Sequence, residues 1–251
     1  MTKMPPTLRL YLQDDDCIAT DAVVLAVRGD SIAFDRTCFY PGGGGQPSDT
    51  GEARLEDGAA LVVASAHADA DGVIWHACDP APPADAVGQR ATLAIDAARR
   101  RTLSRYHTVL HVLNTIALRD YGGWITGAQV GVDHSRIDFK IDGFSAALAA
   151  DLEAKANAVL GADHPLAAHY VPEEEFRERG DLLRTLEVKP PVVDGHVRVV
   201  SIGGFDAQAC GGTHVHSTSE VGRLAIYRIE NKGRINKRLY VRLAPPGETA
   251  A

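Results

Sequence analysis

The sequence predicts an α+β protein in two parts, residues 1–95 and 96–251, and two patterns carry that prediction. From Leu8 to Ile95 short β-prone runs are broken by turn residues, as in a small barrel or sandwich. From Asp96 onward two long helical segments are combined with strand pairs, as in a two-layer domain of helices against a mostly antiparallel sheet.

Bulk properties narrow the class. A length of 251 residues with 45% hydrophobic content suits one large or two modest domains with a real core. No apolar run approaches the roughly 20 residues that span a bilayer, and the N-terminus lacks a signal-peptide pattern, so the expectation is a cytoplasmic protein with no membrane partner. The four cysteines Cys17, Cys38, Cys78 and Cys210 are scattered without a CxxC pair, which argues against a disulfide framework. A net charge of -7 speaks against general nucleic-acid affinity. The charges are unevenly placed, however: Arg223, Arg228, Lys232, Arg234, Lys237, Arg238 and Arg242 crowd the C-terminal strands. That cluster fits either a focused RNA contact or an edge kept soluble by cations.

In the first part the strand candidates are LRLYL, AVVLAV, SIAF, ARL, LVVASA, VIWHA and ATLAI, with turns at Gly29–Asp30, Glu56–Gly58 and Asp69–Gly72. Between two of them lies DRTCFYPGGGGQPSDTG, Asp35–Gly51. Four successive glycines cannot pack a core, and they let main-chain N–H groups approach a ligand closely. Gln46 offers both a donor and an acceptor there, and Thr37 and Tyr40 bring hydroxyls.

The second part opens on a helix. Leu103, Tyr106, Leu110, Leu113 and Ala117 recur at helical spacing behind Asp96 as cap, predicting an amphipathic helix with a buried stripe. His107 and His111 are four residues apart and share one face, with Ser104 and Asn114 beside them. Such a pair either grips a metal or divides into one core and one solvated imidazole. Cys210 and His214 bracket Gly211, Gly212 and Thr213 in one tight loop. One cysteine with three histidines is a chemically sound tetrahedral zinc set, if the two segments meet.

Further along, AQVGVD and RIDFKI predict an antiparallel pair turning at Asp133–Ser135, and Ser145 caps a helix running to Ala162. HPLAAHYVP reads as an outer strand, EEEFRERGD as a short helix ended by Gly180, and VKPPVVDG as a linker. HVRVVSI leads as a strand into the CGGTH loop, and GRLAIYRIE and RLYVRL are the last two strands, joined by NKGRINK. The histidines His67, His76, His134, His164, His169 and His196 read as structural or solvated, and His216 as a secondary candidate beside His214.

HTVLH followed far downstream by CGGTHV, with FYPGGGGQPSDTG upstream of both, resembles the editing domain of alanyl-tRNA synthetase and, in a chain this short, the free-standing alanyl-tRNA editing proteins of the AlaX family. The resemblance spans about Ala22 to Leu243. It implies a small N-terminal β-barrel followed by an editing domain, and a zinc ion held by His107, His111, Cys210 and His214. It also implies the substrate: tRNA(Ala) mischarged with serine or glycine, hydrolysed at the aminoacyl ester. The chain then reads as a whole trans-acting editor, carrying no nucleotide-binding motif.

A synthetase pocket built for alanine rejects glycine or serine poorly, because one small group is worth only about 1–3 kcal/mol. A second sieve should hydrogen-bond the serine hydroxyl, and Thr37, which matches a threonine of the family motif, is the expected contact. HTVLH lacks the glutamate that serves as base in HExxH enzymes, so Gln46, the Gly211–Gly212 backbone and the substrate ribose are expected to share positioning and oxyanion duty. Tyr40, Gly43, Gly44 and Gly45 are expected against the substrate, and Arg234, Lys237 and Arg238 against the RNA. The alternatives are a non-catalytic zinc module that binds tRNA, and a zinc hydrolase of a small ester. Oligomeric state is unknown from the sequence; the absence of heptads removes only a coiled-coil dimer.

Overall fold

A computed structural model describes residues 4–182, 192–193, 195–233 and 236–244. Its contacts divide it into two compact units, one of residues 1–43 and 47–101 and one of 44–46 and 102–251.

The strands of the first unit are β1 (Leu8–Arg9), β2 (Ala19–Arg28), β3 (Ser31–Phe34), β4 (Arg36–Thr37), β5 (Gly51–Leu55), β6 (Ala60–Ala68), β7 (Ile74–Asp79) and β8 (Arg90–Ile95). Six of them close a barrel in the order β2-β3-β7-β6-β5-β8, and β1 pairs in parallel with β4. Closure removes sheet edges, and strict alternation along β8 sends Ala91, Leu93 and Ile95 inward onto Phe34, Phe39, Leu61 and Ile74. LRLYL is shorter as a strand than its pattern suggested, because the backbone turns into a 3-10 helix at Leu10–Leu12. His76 lies wholly inside this unit: its Nδ1 donates to Ile32 O at 3.2 Å, leaving Nε2 to accept from Thr37 Oγ1 at 2.9 Å. Burial holds its pKa down at about 4.

The base of the glycine-rich loop is fastened by a buried ion pair between Asp49 and Arg100. The guanidinium also donates to Cys38 O at 2.7 Å, and the Asp49 carboxylate accepts from Tyr40 N at 2.7 Å. Tyr40 O accepts from Asp49 N in return, so both ends of the loop share one polar knot.

In the second unit follow α1 (Ala97–Tyr121, its first turn counted with the first unit), β9 (Trp124–Gln129), β10 (Ser135–Lys140), α2 (Ala146–Gly161), β11 (Leu166–Pro172), α3 (Glu173–Glu178), β12 (Val192–Val193), β13 (His196–Ile202), β14 (Asp206–Ala209), β15 (Leu224–Asn231) and β16 (Asn236–Leu243). One sheet runs β15-β16-β10-β9; in the other β13 pairs with β11, β12 and β14, and every pairing in both is antiparallel. Asp96 caps α1, accepting from Arg99 N at 2.9 Å, and Ser145 caps α2, accepting from Leu148 N at 3.2 Å.

Several local expectations are corrected. β9 begins at Trp124, ahead of the AQVGVD run, because Trp124 and Ile125 are good strand formers right after Gly122–Gly123. The short helix stops at Glu178, and Gly180 opens a 3-10 turn instead of ending it. Val192–Val193 of the expected linker pair with β13, while residues 188–191 and 194 of that linker lie outside the described residues. β14 went unread, since DAQA carries no strand signal of its own. The largest difference concerns α1, which is buried on all sides from Tyr106 to Ala117. Its apolar side packs on Ile137, Phe139, Leu239 and Val241, and its other side is polar and covered. Among the described residues no helix is long and apolar enough to cross a membrane.

Candidate metal centre

The covered polar side of α1 carries Ser104, His107, Thr108, His111, Asn114 and Thr115. The segment that covers it is the Cys210–His214 loop. Cys210 Sγ lies 3.5 Å from His107 Nε2 and 3.4 Å from His214 Nε2. The His111 ring centroid is 4.9 Å from that of His107 and 4.5 Å from that of His214. One ligand atom from each of the four residues falls within 4.8 Å of all the others. Around a tetrahedral zinc, bonds of about 2.3 Å to sulfur and about 2.0 Å to nitrogen give a sulfur–nitrogen edge of roughly 3.5 Å. The donor set therefore fits such an ion in chemistry and in spacing.

Two of the imidazoles are held in the tautomer a metal requires. His107 Nδ1 donates to Gln46 Oε1 at 2.8 Å, so its Nε2 lone pair faces the cysteine. Gln46 Oε1 also accepts from Thr213 N at 3.1 Å while its Nε2 donates to Thr213 Oγ1 at 2.9 Å, which fixes the amide orientation. Thr213 Oγ1 continues to Ser104 Oγ at 2.8 Å. On the other side Thr108 Oγ1 donates to Ser104 O at 3.0 Å and so accepts from His214 Nδ1 at 3.1 Å. Burial, and then the Arg198 charge, holds His107 down at about 4; burial, and then His107, holds His214 well below its ordinary value. Both imidazoles are thus neutral at physiological pH, with lone pairs available.

The loop owes its shape to β13. Arg198 O accepts from Cys210 N at 3.0 Å, and Arg198 Nη1 donates to Cys210 O at 3.2 Å and Gly212 O at 2.8 Å. Gly212 has no room for a side chain: a Cβ there would lie 2.2 Å from His107 Cε1 and 2.8 Å from Gln46 Oε1. Gly45 seats at the end of β9: Val130 N, just past the strand, donates to Gly45 O at 2.8 Å, and a Gly45 Cβ would meet Ala128 O at 2.6 Å. Gly42 to Gly45 all take positive φ, a run that only glycine sustains.

The remaining expected site residues are placed as follows. Thr37 is fully buried in the first unit, its hydroxyl engaged by His76 and by Phe39 N at 3.0 Å. Tyr40 Oη donates to Gly43 O at 2.9 Å. The Gly212 N–H points at Cys210 Sγ, 3.4 Å away, and the Gln46 amide is engaged at both ends, so these groups brace the ligand set from inside the protein. Lys237 is buried, with Nζ donating to Gly233 O, and Arg238 forks onto Asp138 with both bonds at 2.7 Å. Arg234 lies outside the described residues. Sequence reasoning missed Thr108, Thr213 and Arg198 as supports. The signals were present: an arginine inside the apolar run of HVRVVSI, and threonines immediately after His107 and before His214.

The stretch that carries Cys210 and His214 is recognised from sequence: the family described as "Threonyl and Alanyl tRNA synthetase second additional domain" matches residues 197–240. The alanyl-tRNA editing protein AlaX-M of Methanosarcina acetivorans is 37% identical over 240 residues, covering 93% of this chain and 98% of that protein. Its counterpart in Saccharolobus solfataricus is 31% identical over 239 residues, 95% of this chain and 100% of the relative. The alanine–tRNA ligase of Korarchaeum cryptofilum is 36% identical over 231 residues, 91% of this chain but 25% of the ligase. This chain belongs to the alanyl-tRNA editing protein AlaX-M family.

Proposed function

We propose that the chain is a zinc-dependent, cytoplasmic trans-editing hydrolase that deacylates tRNA(Ala) mischarged with serine or glycine. The observation that carries this reading is the buried His107–His111–Cys210–His214 set with the Nδ1 atoms of His107 and His214 occupied, in a family member matched over nearly its whole length. In the reaction a water oxygen bonds to the ester carbonyl carbon, the bond to the ribose oxygen breaks, and the proton ends on that oxygen. Bound zinc supplies Lewis-acid polarisation of the carbonyl or a water of lowered pKa. Gln46 and Thr108 act by positioning, each holding one imidazole in its metal-ready tautomer. Arg198 holds the loop that brings in Cys210 and His214.

The number of protein donors favours one other reading. Four protein ligands are typical of closed, structural zinc sites, which would make the chain a non-catalytic tRNA-binding module. Release of serine from Ser-tRNA(Ala), beside Gly-tRNA(Ala) and Ala-tRNA(Ala), separates the two when measured before and after metal is stripped and zinc restored. The editing reading expects metal-dependent release that spares alanine, with Cys210→Ala and His107→Ala losing both zinc and activity. A zinc-loaded, folded protein that releases neither serine nor glycine would establish the binding module instead.

A further inference from the structure

The face of the β15-β16-β10-β9 sheet turned away from α1 carries an arrangement that hydrolysis does not use. Leu239, Val241, Ile137 and Phe139 point into the core with α1, so the alternate residues of the same strands point outward. Across the register Gln129, Arg136, Tyr240 and Arg228 form one row, and Gly127, Asp138, Arg238 and Glu230 the next. Along β10, β15 and β16 this face holds the cations Arg136, Lys140, Arg228, Arg238 and Arg242 against the carboxylates Asp138 and Glu230. On a chain of net charge -7 this is a local surplus of positive charge.

Aromatic rings are interleaved with the cations. The Arg242 guanidinium lies 4.3 Å from the Tyr227 ring centroid and the Arg228 guanidinium 5.0 Å from that of Tyr240. The two tyrosine rings are 6.2 Å apart, and His134 lies 6.4 Å from one and 6.1 Å from the other. Tyr227 is 41% exposed, and Arg242 forms no ion pair among the described residues. Beside the cluster, Gln129, Gly131, Val132, Asp133, His134 and Arg136 line a shallow depression, with one carboxylate beside one guanidinium. A face that needed only solubility would carry flexible lysines over aliphatic neighbours. The Arg242 guanidinium laid on the Tyr227 ring is instead held ready for phosphate oxygens, while that of Arg228, over Tyr240, also pairs with the Glu230 carboxylate and would exchange it for a phosphate on binding.

We propose that this face is an RNA-docking surface for the substrate tRNA, with Arg228 and Arg242 contacting phosphates and the Tyr227–Tyr240–His134 cluster stacking on exposed bases or ribose. The proposal rests on the deacylase reading for the identity of its RNA. The cluster adjoins the metal-bearing helix, because Tyr106, next to His107, donates through its hydroxyl to Asp133 O at 2.9 Å and accepts from Leu243 N at 3.2 Å.

The test is fluorescence anisotropy of a labelled tRNA(Ala) acceptor-arm hairpin with a single-stranded 3′ end, titrated with the full chain across a salt series. The double variant Arg228→Gln/Arg242→Gln is expected to bind roughly tenfold or more weakly, with a log–log salt slope shallower by about 1.5. Tyr227→Leu/Tyr240→Leu is expected to weaken binding by roughly tenfold with little change in slope. Thermal melts verify folding of each variant. A phenylglyoxal footprint on the unaltered protein needs no variant: the hairpin should protect Arg228 and Arg242 and leave Arg177 reactive. Unchanged affinity and slope in a folded arginine variant, or equal reactivity of all three arginines with and without RNA, overturns the proposal. A wild-type protein that binds RNA through this face yet releases no serine keeps the docking surface and sinks the deacylase reading instead.

Discussion

The Oε1 atom of Gln46 lies 2.8 Å from Nδ1 of His107, and that single contact fixes which nitrogen of the imidazole can reach a metal. Gln46→Met keeps the length of the side chain and removes the acceptor. Metal affinity is expected to fall by about 10–100-fold, read by competition with a chromophoric chelator. Deacylation at limiting zinc should fall in parallel and recover in part as zinc is raised. An affinity equal to that of the unaltered protein would show that the contact is incidental.

Gly212→Ala tests the closeness of the loop to the helix. The added carbon must displace the His107 ring, at a cost of about 1–3 kcal/mol in overpacking, and it pushes against the Gln46 amide as well. Loss of metal affinity together with a lowered melting temperature is the expected result. A variant with normal stability and normal metal binding would mean that the loop yields without consequence.

His76 gives the barrel unit a pH response of defined sign. Its folded pKa of about 4 lies below the ordinary value near 6.5, so in the window between them the unfolded chain binds the additional proton. The stabilisation is whole above that window and is lost as pH falls through it, by at most about 3 kcal/mol. Denaturant titrations at several pH values check this, because His76→Leu should flatten the slope in that window relative to the unaltered protein.

Thr37→Val removes the hydroxyl that donates to His76 and accepts from Phe39 N. A stability loss of about 1–3 kcal/mol is expected for the buried groups left unpaired. The serine-recognition role expected of Thr37 from the sequence has its own readout, the ratio of serine to alanine release. A lowered melting temperature with an unchanged ratio would confine Thr37 to the barrel interior.

Much of this was legible in the residues. The period of β8 and the caps Asp96 and Ser145 are local signals, so the strand and the two helix starts follow from short stretches of sequence. The four metal-set residues were legible as two separate pairs, each with sensible spacing. What the sequence does not encode locally is coverage. From its own pattern α1 looks half solvated, because Ser104, Thr108 and Thr115 are polar, and only a segment about a hundred residues downstream buries them. Arg198 stood out as an arginine in an apolar run, but its partners did not: they are carbonyls of the Cys210–Gly212 turn, and main-chain acceptors leave no mark in a sequence.

The Arg198 clasp has a further consequence, for the order of events when a metal comes and goes. Its hydrogen bonds to the loop carbonyls involve none of the four ligand atoms, and α1 and the sheet bury an apolar core of their own. In small zinc modules the ion is the folding nucleus, and chelators denature them. The clasp and the apolar core are contacts of the polypeptide itself, apart from the four ligand atoms. The expected consequence is that zinc can be stripped and restored without unfolding the chain, so that occupancy follows the free metal concentration; loss of the folded state on chelation would show the opposite.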